Sequence, residues 1–169
     1  MMLALHLAIC FIGLLAGALV LISLCRGEHQ PAWAATLLAS SALISLTGFV
    51  LPSPPDTATP DPARIVGVVE LVIVVTAAFA LYVNHLTRAW RPVYVVSVVL
   101  AVYLNAFVAV TQGFLKIGFL HALAPTAKES PFLIAQLLAL ALFVVVCATA
   151  LRRFSRHAGD PVGSPHPGS

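Results

Sequence analysis

Six polar side chains stand in stretches that are otherwise almost wholly aliphatic: His6, Glu70, Asn105, Gln112, Lys116 and Gln136. Glu70 is the sharpest, an acid between Val68, Val69, Leu71, Val72 and Ile73. Ionisable groups inside apolar segments are costly to keep, so such a carboxyl is a candidate for exchanging a proton or holding a polar ligand. On a helix, Asn105, Gln112 and Lys116 follow one another at spacings of seven and four and share one stripe. His6, Cys10, Gly13 and Gly17 share another, whose small residues let a second helix come close. Ser41, Ser45 and Gly48 form a similar packing face. A plainer reading stands beside the chemical one. Glu70 can be a hydrogen-bonded acid that fixes helix packing, the amides can bond between helices, and Lys116 can reach outward from a span end.

The elements that must position these groups are helices. Of 169 residues, 60% are hydrophobic and only 9% charged, which excludes an ordinary soluble domain and leaves a polytopic membrane protein. Five apolar stretches, at about 3–25, 32–51, 64–86, 92–115 and 131–151, each supply the roughly 20 residues a helix needs to cross a hydrocarbon core. Unbroken apolar runs exclude barrel strands, which would alternate. The fold class expected is therefore all-α, a bundle of about five transmembrane helices forming one domain over 1–151. Pro31, Pro92 and Pro131 stand at span starts, where a missing amide hydrogen costs nothing. The segment from Pro52 to Pro62 is expected to be an extended, solvated linker, and 116–130 a second long connection. Residues 152–169, basic and then rich in Gly, Pro and Ser, read as a disordered cytoplasmic tail.

Charge sets an expected orientation. Arg26, Arg88, Arg91, Arg152, Arg153 and Arg156 fall on one side, against Arg64, Lys116 and Lys128 on the other. Positive loops stay cytoplasmic, so the N-terminus is expected outside and the C-terminus inside. Trp33, Tyr82, Trp90 and Tyr94 would then sit as interfacial anchors on the inner side. His6, Glu70, Asn105, Gln112, Lys116 and Gln136 would collect in the outer half as a polar pocket. The first span lacks a basic leader and a small-x-small cleavage site before Arg26, so it is expected to be retained. Leu24 occupies the place where a lipoprotein box wants a small residue before Cys25.

Cofactor chemistry finds little support. Haem would need facing imidazoles at matched depth, and the pairs on offer, His6 with His121 and His29 with His85, each place one member in a connection. No two ligands stand at zinc spacing, so no metal site is expected. Cys10, Cys25 and Cys147 are an odd set among apolar residues and imply no disulfide framework. A net charge of +3 spread over loops and tail argues against nucleic acid and fits anionic lipid headgroups. There is no catalytic signature or nucleotide loop.

The strings Ser45–Phe49 (SLTGF), Ala80–Val96 (ALYVNHLTRAWRPVYVV), Leu100–Lys116 (LAVYLNAFVAVTQGFLK) and Ala122–Phe132 (ALAPTAKESPF) resemble those of an uncharacterised family of small, multi-pass bacterial inner-membrane proteins. The resemblance implies a bacterial inner-membrane location and a multi-pass fold, and lends no activity or site residues. A non-enzymatic role is expected: a subunit or scaffold of a membrane assembly, packed beside other subunits or its own copies, or a binder of a small ligand. The alternatives are a quinone- or haem-associated anchor of a redox complex and a proton-coupled carrier of small solutes. The carrier fits least, for want of an internal repeat.

Overall fold

A computed structural model describes residues 2–50, 62–87, 89–126 and 128–156. These form α1 (Met2–Arg26), α2 (Pro31–Val50), α3 (Pro62–Ala78), α4 (Trp90–Lys116), α5 (Gly118–Leu123) and α6 (Ser130–Arg156), and α3 runs on into a π-helical turn at Phe79–Val83. All regular structure among the described residues is helical. Five helices are long and apolar enough to cross a membrane: Leu5–Arg26, Pro31–Phe49, Arg64–Val83, Trp90–Lys116 and Ser130–Phe154.

Local chemistry sets the ends. Gly27, at φ 81°, closes α1, with its amide bonded to the Leu24 carbonyl and the Glu28 amide to that of Ser23. This left-handed cap pairs carbonyls that the helix end would otherwise orphan, and glycine adopts it without strain. At the start of α6, the Glu129 carboxylate accepts from the Thr126 amide and hydroxyl and from the Lys128 amide. The Glu129 carbonyl meanwhile accepts the first helical bond, from Leu133.

Three boundaries differ from expectation. The third span stops short, because the Asn84 amide bonds back to Phe79 and the Leu86 amide to Ala80, while His85 and Leu86 take left-handed φ values of 45° and 52°. The connection after Lys116 contains the short helix α5. The last helix continues to Arg156, so the basic residues 152–156 belong to it and not to a tail. The expected linker residues 52–61 and the rest of the expected tail, 157–169, lie outside the described residues.

The helices pack through stripes of one periodicity. Tyr94, Val98, Ala101, Val102 and Asn105 line the inward face of α4 and are all buried. They meet Ala16, Val20 and Leu24 of α1, Ala34, Leu37 and Ser41 of α2, and Val74 and Ala77 of α3, which form one core. Cross-contacts show the first four long helices alternating in direction. His6 near the start of α1 meets Thr47 near the end of α2, and Ser45 of α2 meets Glu70 early in α3. Glu70 in turn shares a cavity with Lys116 at the end of α4. Tyr94 corrects one expectation, for it is fully buried rather than an interfacial anchor. Its ring packs edge-on against His29 and beside Phe154, because position 94 falls on the stripe that faces the core.

Candidate functional site

Three helices build the surroundings of Glu70. The residue is 4% exposed, on the same face of α3 as the buried Val74 and Ala77. From α2, the Ser45 hydroxyl donates to Glu70 Oε2 at 3.3 Å. From α4, Asn105 donates through Nδ2 to the Ser41 hydroxyl at 2.9 Å, and Ser41 and Asn105 both lie within reach of the carboxyl. The other carboxyl oxygen, Oε1, is buried without a hydrogen-bond partner. Buried polar atoms are rarely left so, and each that is left so calls for a cause.

His6 offers a second open valence. Its Nδ1 lies 2.7 Å from the Thr47 hydroxyl, and that hydroxyl is 2.6 Å from the Leu43 carbonyl, to which it must donate. With its only proton committed there, Thr47 can only accept from His6. Nδ1 therefore carries the ring proton, and Nε2 of the neutral imidazole is a bare acceptor.

Both residues line two adjoining cavities. The larger, about 380 Å³, lies between α1 and α4 and is walled by His6, Leu7, Cys10, Leu14, Ile44, Glu70, Asn105, Val108, Ala109, Gln112 and Lys116. The smaller, about 100 Å³, lies between α2 and α3 and adds Ser45, Gly48, Phe49, Arg64 and Gly67. Glu70, His6, Ile44 and Val108 belong to both. Gln112 and Lys116 are exposed at one end of the larger cavity, and Leu7, Val108 and Ala109 of its wall are exposed as well. Toward its other end the α4 stripe packs into the core through Val98, Ala101 and Val102.

Of the six polar residues singled out from sequence, the structure gathers five around this cavity: His6, Glu70, Asn105, Gln112 and Lys116. Gln136 stands apart. It is buried on α6 and donates to the Phe107 carbonyl and the Thr111 hydroxyl of α4, each at 3.2 Å, on a face of α4 turned away from Glu70. The small-residue faces also divide. A side chain at Gly13 would meet Ser40 and Ile44, and one at Gly17 would meet Val102 and Leu37, so both glycines sit at close helix crossings. Gly48 has nothing within 4 Å of where a Cβ would stand and lines the smaller cavity, not a packed interface. Ser41 and Ser45 are packed, and they also serve the carboxyl.

Sequence reasoning gave Ser41, Ser45 and Arg64 no place in the site. A signal existed for the serines, because Ser45 of α2 and Glu70 of α3 stand at matching depth once those helices are antiparallel. His121 lies on α5 and lines neither cavity. Among the described residues no three His, Cys, Asp or Glu side chains are grouped to hold a metal ion.

The fold and site together define a helix bundle, with five helices long and apolar enough to cross a membrane, and a cavity with an acid in its wall. Comparisons with protein-family models, with curated proteins and with solved structures found no match for this chain.

Proposed function

We propose that this chain is a non-enzymatic, multi-pass protein of a bacterial inner membrane that binds a small ligand in the outer half of its bundle. The observation that carries the reading is Glu70, an acid with one carboxyl oxygen buried and unpartnered, in the wall of a cavity of about 380 Å³. Ligand sites have about this size, with mostly apolar walls and a few convergent polar groups, and Leu7, Leu14, Ile44 and Val108 beside Glu70, His6 and Lys116 fit that pattern. The arginine excess near Arg26, Arg91 and Arg152 supports an inward-facing C-terminus, which turns the mouth of the cavity outward. The bacterial location rests on the sequence resemblance.

A second reading, a subunit packed beside other membrane chains, draws on α6, the least buried of the five spans. Native mass spectrometry of the protein, extracted from its own membrane in mild detergent, tests both. A ligand-sized extra mass that disappears in Ala109→Phe supports the binding reading, and its identity would reveal a quinone or haem if the chain is a redox anchor. A second polypeptide supports the subunit reading. A bare chain, in both the natural protein and the variant, overturns ligand binding.

A further inference from the structure

We infer that the ligand is a small zwitterion, its ammonium group held between Glu70 and His6 and its anionic group at Lys116; this rests on the cavity being a binding site.

The wall of the cavity carries one acid, Glu70, whose Oε1 has no hydrogen-bond partner. His6 Nε2 is left bare by the Thr47 bond. The Ser45 hydroxyl donates to Glu70 Oε2, and Asn105 and Ser41, bonded to each other, lie within reach of the same carboxyl. An occupant with a donor would complete the bonding of Oε1. Among the described residues no lysine or arginine is bonded to Glu70, so a cationic occupant would give this buried acid its counter-charge. A primary ammonium does both, with up to three donors around one charge.

The mouth carries the opposite sign. Lys116 is exposed at the rim of the larger cavity, within electrostatic reach of His6, and Arg64 lines the smaller one. A plain amine would meet these cations on entry, and a plain anion would leave Glu70 uncompensated. A molecule with ammonium inward and carboxylate or phosphate outward satisfies both ends.

Helix direction brings the two charges toward each other. Side chains lean toward the N-terminus of their helix. Glu70 of α3, which begins at the mouth, therefore leans up toward it, whereas Lys116 of α4, which ends there, leans down. Lys116 lies eleven residues beyond Asn105, roughly 16 Å of helix, and the two leaning side chains shorten that gap. An α-amino acid with a hydrogen bond of about 2.9 Å at each end spans roughly 9 Å. The aliphatic walls would take an apolar side chain.

Equilibrium dialysis on the purified full chain in detergent tests this with L-leucine, its decarboxylated analogue isoamylamine, its deaminated analogue isocaproate, and phosphoethanolamine. Leucine or phosphoethanolamine should bind at least about tenfold tighter than either half-molecule, the effect of one charge-assisted bond. Whichever of the two binds better identifies a free amino acid or a lipid-headgroup fragment as the source. Glu70→Gln should weaken the zwitterion and isoamylamine by about tenfold and leave isocaproate unchanged, and Lys116→Gln should do the converse. Isoamylamine equal to leucine overturns the anionic contact, and isocaproate equal to leucine overturns the ammonium contact. Both results leave the binding reading standing, and neither depends on a variant folding. Binding of none of the four overturns the zwitterion, and the native mass of the extracted protein then decides whether the cavity binds anything at all.

Discussion

The Tyr94 hydroxyl is buried without a hydrogen-bond partner. Its ring fills the core between His29 and Phe154, so the aromatic body stabilises while the oxygen has given up water for nothing. An unmade buried hydrogen bond costs about 1–3 kcal/mol, so Tyr94→Phe should leave thermal stability in detergent unchanged or raise it. A clear fall in unfolding temperature would show that the hydroxyl has a partner. Gln136 is the contrasting case. Its amide bridges α6 to α4, and Gln136→Leu should lower stability by about 0.6 kcal/mol, the usual worth of an interhelical hydrogen bond in a membrane bundle. Residue type alone did not separate these two from the site. Tyr94 looked like an interfacial anchor and Gln136 like a pocket residue, because depth along a helix is readable from sequence, whereas the direction a face takes against neighbouring helices is not.

At the scale of the helix, α1 is held by its glycines. A Cβ at Gly17 would stand 2.8 and 2.9 Å from the two methyl carbons of Val102, a stiff, fully packed side chain on α4. Gly17→Ala should therefore destabilise the bundle by roughly 1–3 kcal/mol, the range for overpacking a close crossing. Gly13→Ala should cost less, since its nearest neighbours at 3.0 and 3.3 Å are the ends of Ser40 and Ile44. Gly48→Ala is the control. Open space surrounds it, and the better helix propensity of alanine should be neutral or stabilise by up to about 1 kcal/mol. Unfolding the three variants in parallel checks the ranking, and equal losses at 17 and 48 would contradict it. The stripes themselves were legible: small residues at helical spacing on α1, polar ones on α4. The π-helical turn and the left-handed pair His85 and Leu86 were not, since no glycine or proline marks them. That turn is closed by local bonds, from the Asn84 and Leu86 amides to the Phe79 and Ala80 carbonyls, and Arg91 Nε donates to the Leu86 carbonyl at 2.9 Å.

Across the whole molecule, the number of spans was readable because each carries its own apolar run, while the cavity was not, since it exists only where four helices fail to close. The two ends of the bundle differ accordingly, one with the polar cavity, the other packed around the buried Tyr94. The packed end contains a titratable group, His29, in the turn between α1 and α2, and burial pushes its imidazole below its ordinary value of 6.5. The folded state thus prefers neutral His29, while the unfolded chain takes up a proton near 6.5. The stabilisation that depends on the neutral ring is complete above that value and is lost as pH falls through it. At the cavity end, Glu129 acts in a lower window. Its bonds from the Thr126 hydroxyl and amide and the Lys128 amide hold its carboxyl below the ordinary 4.5, so its contribution is present above 4.5 and is lost only on further acidification. Between about pH 8 and pH 5, thermal unfolding in detergent should therefore show the natural protein losing stability relative to His29→Gln on acidification, while Glu129→Gln keeps the slope of the natural protein. Identical slopes in the natural protein and His29→Gln would remove this imidazole from the pH dependence, and a natural protein that gains stability relative to His29→Gln toward pH 5 would reverse the sign assigned to it.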